Sequence, residues 1–125
     1  MQHVVKKGPT VEENILLTVK EFNNVDEGDD SFDNTLITII NAGLATLADN
    51  GIIPEGSRLE DTEMDWDDLF EVNYLEDAKE YICIRTKLAF DTSGCSSYVL
   101  EAFKQMEEAD LWRLRTRAEL KAMEG

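Results

Sequence analysis

At 125 residues with 42% hydrophobic side chains, the chain holds enough for one core and too little for two, which excludes most large enzyme folds. Its 27 acidic and 12 basic residues leave a net charge of -15, so the chain as a whole repels nucleic acid and anionic membrane, and a DNA-coating role is excluded. No apolar run approaches the roughly 20 residues needed to cross a bilayer, and the opening residues hold no hydrophobic export segment, so a soluble, intracellular protein is expected.

Hydrophobic periodicity reads as helix nearly throughout, with residues 1–9 expected to be a disordered start and residues 10–125 one helical domain. Thr10 and Glu13 have capping-box spacing, and Ile15, Leu16, Val19 and Phe22 recur at three and four residues, giving a first helix of about three turns that ends at Asn23 and Asn24. The acidic stretch 26–30 cannot pack and is expected to be a solvated loop; it lacks the alternating ligands and sixth-position glycine of a calcium loop. A second helix, capped by Ser31 or Asp33, carries the apolar stripe Phe32, Leu36, Ile39, Ile40, Gly43, Leu44 and Leu47, and stops at Asn50 and Gly51 ahead of Pro54.

Residues 51–70 are the least regular part, an acidic connection with one short helical turn expected around residues 66–70. Trp66, the large apolar exception in this run, is expected to pin the loop by burying its ring. A third helix is expected over residues 73–90, with Tyr74, Ala78, Tyr81, Ile82, Arg85, Leu88 and Ala89 inward. Arg85 on that stripe must find a carboxylate or emerge at the bundle edge, because an unpaired buried charge is costly. Residues 91–94 break this helix, and Ser96 or Ser97 caps a fourth running to about Met123. Val99, Ala102, Phe103, Met106 and Ala109 line one side of it. At about 1.5 Å per residue this last helix is about 40 Å long, more than its neighbours can cover, so residues 112–121 are expected to project or to dock elsewhere. The expected fold is thus all-α, a small four-helix bundle with a long C-terminal helix and an irregular acidic connection between helices two and three.

The charge is unevenly laid out. Residues 21–80 hold eighteen acidic and two basic side chains, whereas residues 81–125 hold seven of each, with Arg113, Arg115, Arg117 and Lys121 near the end. Alternate helical residues point about 200° apart, so Arg113, Arg115 and Arg117 do not form one face for gripping phosphate. Trp and Arg commonly anchor protein interfaces, which makes a protein partner the better target; the bland alternative is that Trp112 completes the core and the arginines are solvated. The acidic residues Asp61, Glu63, Asp65, Asp67, Asp68 and Glu71 lack the apolar cleft that a catalytic carboxylate pair requires, and no enzyme activity is expected. Ser96 and Ser97 have no histidine base, since the chain's histidine is His3. Cys83 and Cys95 lack CxxC spacing and are expected to be reduced thiols, the first packed and the second in an exposed turn, with no metal or cofactor.

Three segments together resemble the head-tail connector (adaptor) proteins of long-tailed bacteriophages: FDNTLITIINAG from Phe32 to Gly43, EYICIRTKLAFD from Glu80 to Asp91, and LWRL from Leu111 to Leu114. The similarity covers about residues 10–120 and rests on the order of these pieces and on the aromatic-Asp turn at Phe90 and Asp91, with residues 91–95 lacking a proline common in such proteins. The resemblance implies a structural virion protein, assembled in the host bacterial cytoplasm, that is often monomeric alone and forms a ring of about twelve copies between portal and tail. It implies contacts with the portal protein, the next neck or tail-completion protein, and itself, with DNA passing through the ring unbound. Portal docking then falls on Trp112, Arg113, Leu114, Arg115 and Arg117. An acidic lining suits a conduit that must not grip DNA, so Asp61, Glu63, Asp65, Asp67 and Asp68 are expected to face the channel or a neighbouring subunit. The rival reading is an acidic DNA mimic or regulatory inhibitor that occupies a basic partner protein.

Overall fold

The computed structural model describes residues 13–124, which form four helices and no strand: α1 (Ile15–Phe22), α2 (Asp33–Asp49), α3 (Leu75–Phe90) and α4 (Ser97–Glu124). The all-α bundle read from the sequence is the fold. Expectations placed on residues 1–9 and on Thr10 lie outside the described residues.

The first helix starts at Asn14. Its backbone is extended and its side-chain oxygen accepts from the Leu17 amide at 2.9 Å, which satisfies a donor that the first helical turn leaves unpaired. The same asparagine donates from Nδ2 to the Thr62 carbonyl at 2.9 Å. Around it the chain forms an isolated antiparallel bridge, Asn14 to Asp65, in which the Ile15 amide donates to Met64 and the Trp66 amide to Glu13. The acidic connection is therefore stitched to the start of α1. At the other end the asparagine stop is as read: Asn23 caps, and Asn24 takes a left-handed φ of 60°.

Neither serine nor aspartate caps α2. Phe32 stands at the cap without a side-chain hydrogen bond, because Ser31 is turned back to Asp29 and Asp33 is engaged by Lys20. Lys20 is itself buried: its Nζ lies 3.0 Å from Asp33 Oδ1 and donates to the Glu27 carbonyl, so one ammonium closes the 24–33 loop against α1. Of the expected stripe, Leu36, Ile40, Gly43, Leu44 and Leu47 are buried, whereas Ile39 is half-buried and Phe32, at the cap, is exposed; Asn50 with Gly51 (φ 78°) ends the helix. Gly43 is where α2 and α3 approach: a Cβ there would meet Ile82 Cδ1 at 2.9 Å and the Arg85 side chain at 3.1 Å.

The connection is irregular but packed. Ile52, Ile53, Leu59, Trp66 and Phe70 are all buried in the same core as α1, α2 and α3. Trp66 pins it as expected, 1% exposed, with its indole N–H donating to Thr18 Oγ1 at 3.0 Å. It also opens the expected helical turn, a 3-10 turn over Trp66–Asp68. A second 3-10 turn, Val72–Tyr74, precedes α3, which therefore begins at Leu75 rather than Asn73.

The inner face of α3 is wider than its stripe predicts. Cys83, Ile84, Thr86 and Lys87 are buried alongside Ala78, Tyr81 and Ile82, whereas Leu88 is half-buried and Ala89 exposed. This helix is the central one, packed by α1, α2 and α4, so no single face describes it. Burial drives the Cys83 thiol up to about 12, which keeps it an unreactive packing group, and Cys95 is half-buried. Arg85 meets the expectation set for it, reaching the bundle edge with Nη1 3.9 Å from Glu107 Oε2.

The fourth helix reverses the expected arrangement. Ser96 caps its start, accepting from the Val99 amide at 3.2 Å. Beyond that cap, Val99, Ala102, Met106 and Ala109 are exposed, and the residues buried in α4 are Asp110 and Leu114. The C-terminal half, expected to project or to dock elsewhere, is the half that packs. The stripe that turns inward, Phe103, Glu107, Asp110 and Leu114, is offset from the apolar one and contains two carboxylates, so hydropathy alone points to the wrong side.

Candidate functional site

The five residues expected to dock a partner all lie on the packed half of α4, and the helix sends them in different directions. Leu114 points inward and is fully buried in the core. Arg113, Arg117 and Lys121 recur every four residues and share one flank. That flank faces the start of α3 and the turn before it. Arg113 Nε donates to Asp77 Oδ1 and Arg117 Nη1 to Asp77 Oδ2, each at 3.2 Å, so one carboxylate takes both guanidinium groups. Arg117 also donates to the Asn73 carbonyl at 2.8 Å and stands 6.0 Å from the Tyr74 ring centroid, while Lys121 pairs with Glu71 at 2.6 Å.

Asp110 completes the flank from below. It is fully buried, its Oδ1 accepts from Arg113 Nη2, and its Oδ2 accepts from no donor among the described residues. Burial, with the carboxyl of Glu80 on α3 adding to it, pushes the Asp110 carboxyl up to about 7 against the pull of Arg113. One turn earlier, burial also raises Glu107, with Arg85 opposing.

Three of the four basic groups at this end are therefore satisfied inside the molecule, and the polarity between a basic tail and an acidic centre is largely spent there. Arg115 makes no ion pair among the described residues and is exposed. Trp112, three residues before it, is its neighbour on the outer face and is 59% exposed, so it does not complete the core. Leu120 and Met123 continue this exposed apolar surface, and a cleft of about 220 Å³ runs between Trp112, Arg113, Thr116, Arg117 and Leu120.

The acidic residues of the connection form a second, distinct surface. Asp61, Glu63, Asp67 and Asp68 are exposed and Asp65 is half-buried. Several also shape their own backbone: Asp61 accepts from the Glu63 amide at 2.8 Å, and Asp65 and Asp68 form a reciprocal capping box across the 3-10 turn. The structure thus holds these carboxylates on an ordered ridge, and does not bring them to the basic flank of α4.

Sequence reasoning missed Asp77, Asn73 and Asp110, and grouped Glu71 with the acidic connection rather than opposite Lys121. The signal was present: basic residues at 113, 117 and 121 with an acid at 110 mark one helical flank, and Glu76 and Asp77 sit in the first turn of α3.

A family model described as phage connector protein matches residues 15–121. No curated protein and no solved structure matches the chain. The matched span takes in all four helices through Lys121.

Proposed function

The chain belongs to the phage connector protein family, a structural family of the head-tail junction, and from that premise we propose that it forms a ring between portal and tail and extends the DNA channel there. The outer face of the C-terminal half of α4 docks on the portal, with Trp112 and Arg115 as the contacting residues. Leu114 anchors that face to the core, and Arg113 and Arg117 hold its orientation through Asp77. The observation that carries this assignment is an indole 59% exposed on a helix whose opposite side is locked. A large aromatic on a rigid support loses little conformational freedom on binding and is a frequent energetic anchor.

The acidic ridge, with Asp61, Glu63, Asp67 and Asp68 exposed and Asp65 partly so, lines the channel or meets an adjacent subunit. Duplex DNA presents about one negative charge per 1.7 Å, so such a lining lets it pass without being held. A DNA mimic would instead spread its carboxylates evenly over one rigid face, and Asp61, Asp65 and Asp68 are turned partly to their own backbone.

The test is co-sedimentation of the purified chain with assembled portal rings. Trp112→Ala together with Arg115→Ala is expected to weaken binding about tenfold or more while leaving the melting temperature unchanged. Undiminished binding would overturn the docking assignment.

A further inference from the structure

The buried Asp110 is the titratable group that the portal reading does not use. Its Oδ2 is shut away from water and meets no donor among the described residues, on the contact between α3 and α4, with the Glu80 carboxyl beside it. Two ionised carboxylates at such a place repel each other and cannot hydrogen-bond, whereas one proton between them turns the repulsion into an O–H···O bond.

We propose that Asp110 and Glu80 form a proton-operated latch: with one proton shared between them the C-terminal half of α4 is held on α3, and with that proton lost it opens more readily. Every charged group facing the pair has a part. From α3, Asp77 adds negative charge and Glu80 supplies the proton acceptor; from α4, Arg113 offsets them at Oδ1. Arg117 and Lys121 are tied to Asp77 and Glu71, and Arg85 with Glu107 closes the contact one turn back. Arg113 is thus divided between Asp110 and Asp77, which leaves an excess of negative charge in the seam once the proton leaves.

The sign follows from the raised carboxyl. In the opened state Asp110 meets water and ionises in the ordinary carboxylate range, while in the closed state it holds its proton up to about 7. The closed state is therefore favoured fully below the ordinary range, loses ground as the pH climbs to about 7, and is insensitive above that.

The latch belongs to the isolated chain and can be tested without a portal. Hydrogen exchange of the backbone amides of residues 111–121, corrected for the intrinsic pH dependence of exchange, reads the opening directly. Opening is expected to rise about tenfold from pH 6 to pH 8 in the native chain. In Asp110→Asn it should be flat, with protection at pH 8 greater than that of the native chain at pH 6, and the amides of α2 should stay protected throughout. Equal opening at both pH values, an unaltered pH dependence in Asp110→Asn, or α2 amides that open in step would each overturn the latch. Glu80→Gln gives a second reading should Asp110→Asn fold poorly: its transition should move to lower pH, and an unmoved transition counts against the shared proton.

Discussion

The connection between α2 and α3 has little regular structure yet buries Ile52, Ile53, Leu59, Trp66 and Phe70, whereas the first half of α4 is unbroken helix with no fully buried residue before Asp110. Backbone regularity and burial are separate properties here. The connection is held by large side chains reaching into the core and by backbone pairing to α1, so its carboxylates can stay at the surface without unravelling it. The first half of α4 is held chiefly from its far end and by light contacts such as Phe103 on Phe22, with ring centroids 6.0 Å apart. Its exposed Val99 and Met106 remain available to another protein.

The contrast can be broken most forcefully at Trp66. Truncation to alanine removes a fully enclosed ring and the tie to Thr18, and should lower unfolding free energy by about 3–5 kcal/mol in urea denaturation. Leu59→Ala, also in the connection, should cost about 2–4 kcal/mol by the same measurement. Asp110→Asn, at the border between the two halves of α4, should stabilise the chain by about 2 kcal/mol at pH 8. That advantage should shrink as the pH falls through 7 toward the ordinary carboxylate range, as followed by thermal melts across pH. On the exposed stripe, Met106→Ala should change stability by no more than about 0.5 kcal/mol. A cost at Met106 comparable with that at Leu59 would erase the contrast.

The parts of this molecule that were legible in its sequence are those where one physical cost dominates. The α2 stripe could be read because its apolar residues recur at helical spacing and a partner covers them all along Leu36, Ile40, Leu44 and Leu47. Trp66 could be read because an indole amid carboxylates has few other places to go. The face of α4 could not, since periodicity finds an apolar stripe but not whether anything covers it, and the covered stripe includes Glu107 and Asp110. The start of α1 was misplaced because the backbone at Asn14 is held extended by pairing with residues about fifty positions away, which no local pattern encodes, even though its side chain then caps the helix locally on the Leu17 amide. At the candidate site, Trp112 and Arg115, read as docking residues, are exposed, while Arg113 and Arg117 pair with Asp77 from another helix, which no local pattern brings together.

The central claim is a place in the particle, and cryo-electron microscopy of mature virions at side-chain resolution tests it most directly. The account predicts a ring of this chain at the portal vertex, with the Trp112 side of α4 turned to the portal and the acidic ridge turned to the lumen or to the next copy. Particles with an intact neck that lacks this chain would contradict it.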